Sequence, residues 1–154
     1  MTHSRLQDEL DIRSVVDSID AARDGKDWKR CRDCFTDHIE ADFTSLAGGQ
    51  RGRLAADDLV SAWASVLYAG KRSHHIRTHH QIEIAGDVAI VRSKAYIINA
   101  MNRDLGSGLW EIWANFTHSL IREPQSWRCD GMAIYVVHTR GNELVRTHAV
   151  EGMP

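Results

Sequence analysis

The sequence predicts an α+β fold in which helices pack against an antiparallel sheet. Two observations lead to this class: helical spacing of apolar residues dominates the first half of the chain, and strand-like segments dominate the second half. This order differs from the strand–helix alternation of a doubly wound fold. The length of 154 residues is common for one domain, so we expect residues 1–154 to form a single domain.

Three helices and one strand are predicted in the first half. Apolar residues between Ile12 and Ile19 recur every three or four positions and form one stripe on the first helix. Gly25 ends this helix, and Asp27 is a typical N-cap for the next. The predicted elements are a helix from Leu6 to about Arg23, a short helix from Trp28 to Phe35, a strand from His38 to Ser45, and a helix from about Ala55 to Tyr68.

Four long strands are predicted in the second half, joined by turns at Gly86-Asp87 and Pro124 and by a loop at Asn102 to Ser107. They cover Ser73 to Ile84, Val88 to Met101, Gly108 to Arg122 and Trp127 to Thr139. Apolar residues occupy both faces of these strands. A sheet buried on both sides can hold helices on one face and a pocket on the other.

The composition excludes several classes of protein. With 43% hydrophobic residues, 26% charged residues and a net charge of -2, the chain resembles ordinary globular proteins, and it has no basic run that would bind nucleic acid. It has neither a signal-peptide pattern nor a membrane-spanning apolar run, so we expect a cytoplasmic protein. Three cysteines do not make a disulfide framework. Cys31 and Cys34 lack the context of a redox or zinc motif and are predicted to be core residues.

Asp24 is the first candidate for chemistry. It lies at the C-terminal end of the first predicted helix, where the helix dipole disfavours a carboxylate. Either Asp24 is an ordinary solvated acid near a turn, or a partner elsewhere in the fold holds it.

Four of the nine histidines lie between residues 73 and 80. On a regular strand His75 and His79 would share one face, and His74 and His80 the other. Imidazole is the usual general base and a common metal ligand, but a zinc site needs about three protein ligands, so we expect no metal here. The alternative for each of these histidines is a purely structural role.

Two polar residues interrupt the apolar strands. Asn115 and His118 follow Trp110 and Trp113, in a stretch that would otherwise be core. A buried amide or imidazole without a partner is costly. Each of the two therefore either finds a partner inside the protein or lines a cavity.

Short motifs resemble the scytalone-dehydratase-like, SnoaL-like branch of the nuclear-transport-factor-2-like (NTF2-like) superfamily. They are AspGlyLysAspTrp at 24–28, His75-Ile76 followed by Ile82-Glu83, AlaAsn at 114–115, and Trp127 before the last strand. The resemblance covers roughly the whole chain. It implies a cone in which a curved antiparallel sheet and three helices enclose a pocket, and an assembly as a trimer or dimer.

The same resemblance implies cofactor-free catalysis by an Asp-His pair on a small-molecule substrate. Asp24 would orient His75, the base that removes a proton beside a carbonyl. The predicted substrate-binding residues are Asn115, Phe43, Tyr96, Trp113 and Asn99. Arg23 and Phe43 stand where scytalone dehydratase has two tyrosines, and Asn99 lies near the position of its second histidine. The electrophilic half of that active site is therefore missing or rebuilt in this chain.

Three functions are compatible with these residues. The first is a lyase that eliminates water, or cleaves a carbon–carbon bond, in a small cyclic or aromatic hydroxylated substrate. The second is an isomerase of the ketosteroid type, for which Tyr96 or Tyr135 could supply the oxyanion donor. The third is a non-catalytic module that binds a ligand or partner, which a separation of Asp24 from His75 would favour. Residues 139–146 either cover the pocket or pack on a neighbour.

Overall fold

The computed structural model describes residues 4–102 and 106–150. Its elements are α1 (Arg5–Asp24), α2 (Trp28–Asp33), β1 (Phe35–Asp42), α3 (Thr44–Ala47), β2 (Gly52–Ala55), α4 (Ala56–Val66), β3 (Lys71–Ala85), β4 (Val88–Met101), β5 (Leu109–Glu123), β6 (Ser126–Gly141) and α5 (Glu143–Thr147). The α+β class is confirmed. Part of the loop predicted at Asn102 to Ser107 lies outside the described residues.

The six strands form one curved sheet in the order β2-β1-β6-β5-β4-β3. Strands β3 to β6 make an antiparallel meander, and β1 pairs antiparallel with β2. However, β1 runs parallel to β6, so the predicted antiparallel sheet contains one parallel pairing and is mixed. No hairpin joins β1 to β6, because they come from opposite ends of the chain, and the direction of their pairing is therefore not dictated by a turn.

The three predicted helices correspond to α1, α2 and α4. Ile12, Val16 and Ile19 on α1 are at most 1% exposed, and the helix packs against β3 and β6. The Gly25 N–H caps α1 by donating to the Ala21 carbonyl, and the Asp27 carboxylate accepts from the Arg30 N–H at the start of α2. No helix of the described residues has the length and apolar character needed to cross a membrane.

The predicted core role of the cysteine pair is confirmed. Cys31 and Cys34 are buried and free of disulfides. Burial raises the pKa of Cys31 to about 12 and that of Cys34 to about 11, so both thiols stay protonated at neutral pH.

The helices and the main apolar cavity lie on the same face of the sheet. Helices α1, α3, α4 and α5 contribute to or cover this face. The opposite face leaves Tyr135 and Val137 50% and 65% exposed. The helices and the sheet therefore enclose the cavity together. Helices on one face and a pocket on the other, which apolar residues on both faces of the strands would allow, is not the arrangement found, because such a pattern does not reveal which layer covers each face.

A β-bulge in β3 changes which histidines share a face. The register against β4 shifts between Thr78 and Gln81, and His79 has a positive φ of 56°. The extra residue reverses the alternation, so His80 and not His79 lies on the buried side with His75. A strict two-residue period could not anticipate this reversal.

Asp8 ties the start of α1 to the β5–β6 hairpin. Its two carboxylate oxygens accept hydrogen bonds from Arg122 at 2.7 and 2.8 Å, and Trp127 Nε1 donates to it at 3.1 Å. Asp8 is only 6% exposed. The helix is thereby held at its N-terminal end by a charge-assisted network inside the protein.

We expect Asp8→Ala to lower the free energy of unfolding by about 1–3 kcal/mol, because it leaves the buried Trp127 N–H without its acceptor and Arg122 with Asp87 as its remaining partner. Glu9→Ala is the matched control: it removes a pair with Arg5 at the surface, worth less than about 0.5 kcal/mol. Urea unfolding of the three proteins tests this, and equal losses for both variants would contradict it.

Candidate active site

A cavity of about 360 Å³ lies between the sheet and the ends of α1, α3, α4 and α5. Apolar side chains make most of its wall, among them Phe43, Trp63, Ile97, Trp110, Phe116 and Ile134. Five polar residues complete the wall: Arg23, His75, Asn99, Arg146 and Thr147. A mostly apolar cavity of this size with a few converging polar groups is typical of a small-molecule site.

The fold brings Asp24 and His75 into direct contact. His75 Nδ1 lies 2.6 Å from Asp24 Oδ1, and the His75 side chain is 1% exposed. The same carboxylate also accepts from the Ser73 hydroxyl at 2.7 Å and from the His75 backbone N–H at 2.8 Å. Three hydrogen bonds from β3 therefore hold a carboxylate that the helix dipole alone disfavours at this position.

These contacts set the protonation states. Burial alone would raise the pKa of Asp24, but the hydrogen bond and charge of His75, with the Ser73 hydroxyl, lower it to about 2. Burial lowers the pKa of His75 below 6.5, and the Arg23 charge lowers it further, against the opposing effect of Asp24. At neutral pH an ionised Asp24 therefore faces a neutral His75.

The contact also selects the tautomer of His75. An ionised carboxylate can only accept, so Nδ1 carries the proton and donates it to Asp24. Nε2 then carries the lone pair, and it has no hydrogen-bond partner among the described residues. His75 is thus positioned at the cavity wall as a neutral base with an available acceptor nitrogen.

Two arginines supply positive charge at the wall. The Arg23 guanidinium carbon lies 4.1 Å from the centre of the Trp63 ring, and that of Arg146 lies 5.6 Å from the centre of the Trp110 ring. Glu143 pairs with Arg146. Among the described residues, no aspartate or glutamate lines the cavity itself.

Sequence comparison assigns the family. The family model for the SnoaL-like domain matches residues 4–133, most of the chain. The chain belongs to the SnoaL-like family. No curated protein shows significant sequence similarity to it.

Several solved structures share the fold of this SnoaL-like domain. Kfla4162 from Kribbella flavida superposes with a TM-score of 0.87 at 19% identity, covering 94% of this chain and all of that one. A Novosphingobium aromaticivorans protein provisionally described as a scytalone dehydratase gives 0.79 at 12% identity and covers both chains fully. A hexachlorocyclohexane dehydrochlorinase, LinA type 2, gives 0.74 at 13%, covering 97% and 95%. These likenesses establish the fold.

Phe43 and Asn99, two of the predicted substrate-binding residues, line the cavity of the SnoaL-like domain with His75. Tyr96, Trp113 and Asn115 do not. Asn115 is exposed, and the Tyr96 and Trp113 rings pack on each other at 5.0 Å on the opposite face of the sheet. The prediction that these three bind a substrate in this pocket is therefore corrected.

The alternation of strand residues explains the correction. On β5 the even-numbered Trp110, Ile112 and Phe116 face the cavity, so Trp113 and Asn115 face away. The Tyr96 hydroxyl donates to Glu111 at 2.6 Å, and Tyr135 is half exposed. Neither tyrosine lines the cavity as the oxyanion donor that an isomerase of the ketosteroid type would need.

The C-terminal segment covers the cavity. Val145 of α5 is fully buried, and Arg146 and Thr147 line the wall. Beyond α5, His148 holds the segment in place. Its ring forms a hydrogen bond with the Tyr68 hydroxyl at 2.8 Å, and its carbonyl accepts a hydrogen bond from Lys71 at 2.5 Å. Of residues 139–146, Arg146 therefore covers the pocket, as one of the two alternatives expected.

Several wall residues had no signal in the sequence. Helices α3 and α5 are too short to show periodicity, so Leu46 and Arg146 were missed. Ser73 could have been found, because it lies two residues before His75 and so shares its face. Within residues 4–102 and 106–150, no group of three or more His, Cys, Asp or Glu side chains is arranged to hold a metal ion.

A buried polar layer lies beside the cavity floor. Arg77 binds Asp20 at 2.6 and 3.1 Å and lies 4.3 Å from the centre of the Phe116 ring. His118 stacks on the same ring, is fully buried, and has no hydrogen-bond partner among the described residues for either ring nitrogen. Burial and the nearby Arg77 lower the pKa of His118 to about 3.

We expect the protein to lose stability below pH 6.5. The unfolded chain protonates His118 near pH 6.5, whereas the folded chain protonates it only near pH 3, so the unfolded state binds more protons between these values. Stability is full above pH 6.5 and falls by up to about 1.4 kcal/mol per pH unit below it. His75 adds to the loss in the same direction.

His118→Leu should weaken this pH dependence and cost less than about 1 kcal/mol at pH 7.5, because it removes two polar atoms that lack partners. Urea unfolding of both proteins at pH 7.5 and pH 5.0 tests the prediction. A variant that retains the full wild-type loss between the two pH values would contradict it.

Proposed function

We propose that this protein is a cofactor-independent lyase that acts on a small cyclic or aromatic hydroxylated carbonyl compound. The observation that carries the proposal is the 2.6 Å contact between Asp24 and His75 at the wall of an apolar cavity, with His75 Nε2 left without a partner. A contact of this length supports an enzyme rather than a module that only binds.

In the proposed reaction, His75 Nε2 accepts a proton from the carbon beside the substrate carbonyl. The C–H electron pair forms an enolate, and the negative charge of Asp24 stabilises the imidazolium. The enolate then re-forms the carbonyl and places a double bond between the α and β carbons as the β-substituent leaves. A leaving hydroxide takes the proton from His75, so that water is released and the base is regenerated.

The comparisons support this class by analogy. Among the solved structures of the same fold, one is described provisionally as a scytalone dehydratase and another as a dehydrochlorinase. Both names refer to elimination, a reaction that a proton-abstracting base can begin. Because these proteins are under 20% identical to this chain, the likeness supports the reaction class and not the substrate.

We expect His75→Gln to reduce kcat/KM by about 10²- to 10⁴-fold, because glutamine cannot accept the proton. Asp24→Asn should reduce kcat/KM by a similar factor, since it removes the charge that orients and stabilises His75. Ser73→Ala removes one of the hydrogen bonds to Asp24 and should cost about tenfold or less.

The assay uses a panel of β-hydroxy cyclic ketones and hydroxylated aromatic ketones in D₂O, each tested with and without a carboxylate on the ring. Proton NMR follows deuterium incorporation beside the carbonyl and formation of the alkene. Deuterium incorporation reports proton removal even where no group leaves. Circular dichroism checks that each variant is folded. A wild-type protein that is indistinguishable from His75→Gln over the whole panel would contradict the proposal.

The pH dependence gives a separate prediction. His75 cannot accept a proton when it is already protonated. Because the pKa of His75 is lowered, kcat/KM should fall on the acid side only below pH 6.5. Asp24, with a pKa of about 2, stays ionised throughout. Asp24→Asn removes a charge that raises the pKa of His75 and should move the acid limb to lower pH. An acid limb that begins above pH 6.5 would contradict this assignment.

A further inference from the structure

The charges around the cavity are unbalanced. Arg146 has a partner in Glu143, which sits beside it on α5. Arg23 differs: the structure gives its guanidinium no hydrogen bond and no ion pair with any described residue, and its Nε is buried without a partner. An arginine without a carboxylate partner is unusual at a half-buried position, because desolvation of the cation is not offset.

The nearest carboxylates are already engaged. Asp20 and Asp24 are the carboxylates whose charges act on Arg23. Arg77 holds both oxygens of Asp20, and Ser73 and His75 hold those of Asp24. The Trp63 ring beneath the guanidinium orients it but supplies no counter-charge. Arg23 is therefore left available to a group that enters the cavity.

The shape of the site indicates the chemical class of that group. A guanidinium is a planar fork of donors that matches a carboxylate with two parallel hydrogen bonds. Around it, Trp63, Trp110 and Phe116 provide flat apolar surface. A ligand that satisfies both features carries a carboxylate on an aromatic or alicyclic ring.

We propose that Arg23 binds the carboxylate of the ligand, and that the ligands of this cavity are cyclic or aromatic carboxylic acids in their anionic form. The inference rests on the proposed function, since it names the substrate class of the same site. It goes beyond that function, because neither proton abstraction nor elimination requires a charged substrate.

The anion would also act on His75. Arg23 is one of the groups that lower the basicity of His75 in the free protein. A carboxylate bound to Arg23 offsets its charge, so His75 becomes a stronger base when the ligand is present. Ligand binding and activation of the base are in this way coupled through one arginine.

Benzoate and its neutral isostere benzamide test the proposal without any need for turnover. Trp63 and Trp110 line the cavity, so tryptophan fluorescence reports binding. We expect the wild-type protein at pH 7.5 to bind benzoate at least tenfold more tightly than benzamide. Arg23→Met should bind the two alike, and Arg23→Lys should keep part of the preference.

Arg13→Met is the matched control, since it removes an exposed arginine from the same helix, on a surface away from the cavity. It should keep the full preference for benzoate. Thermal unfolding checks each variant, and Arg23→Lys keeps the test decisive if Arg23→Met does not fold. Benzoate should also raise the pKa of His75, measured by NMR, in the wild-type protein and in Arg13→Met but not in Arg23→Met.

Equal binding of benzoate and benzamide by the wild-type protein, absence of binding by both, or an undiminished preference in Arg23→Met and Arg23→Lys would each overturn the inference. These outcomes are separable from the proposed function. A protein that prefers benzoate but removes no proton from any ketone would retain the binding site and lose the lyase. His75→Gln should lose turnover and keep the preference for benzoate.

Discussion

The hydrogen bond between Asp24 and His75 is the constraint on which the rest of the site depends. It joins the last residue of α1 to β3, and it forms only if the helix ends at Asp24 and the strand presents Ser73 and His75 on one face. The energy that holds α1 there comes from elsewhere: burial of Ile12 and its neighbours contributes about 1.5–3 kcal/mol for each large side chain. Apolar packing places α1 against the sheet, and the polar contacts fix which residue of α1 meets β3.

A second consequence concerns the dielectric environment of the dyad. His75 is almost fully buried, so its charged form is disfavoured, and an adjacent ionised Asp24 compensates only in part. The result is a base that is neutral at pH 7 and keeps its lone pair available. Behind the dyad lies the buried polar layer of Asp20, Arg77 and His118. Arg77 and His118 both pack on the ring of Phe116 and so support the cavity wall. The cavity combines an apolar surface with strongly oriented charges, which is the usual condition for electrostatic stabilisation of a developing anion.

Much of this could be predicted from the sequence where the signal was local. The stripe on α1, the Asp27 cap and the turns at Gly86 and Pro124 each depend on a few neighbouring residues, and all of them are found. Asp24 and His75 were identified together through a resemblance, since nothing in the chain between them shows that they meet.

The errors arose where tertiary context decides. The bulge at His79 reversed the alternation of faces along β3. On β5, the alternation of residues does not say which face of the strand meets the helices, so Trp113 and Asn115 were assigned to the wrong side. The parallel pairing of β1 with β6 joins residues from opposite ends of the chain. Arg146 lies on a helix of five residues, too short for a periodic signal.

The central claim is that Asp24 holds His75 as a neutral base with its lone pair on Nε2. Nitrogen-15 NMR of the histidine side chains distinguishes the two tautomers and the charged form directly. At pH 7 we expect His75 to be neutral, with the proton on Nδ1, and to lose this tautomer preference in Asp24→Asn. A His75 ring that is protonated on Nε2 at pH 7, as the other tautomer or as the imidazolium, would contradict the account.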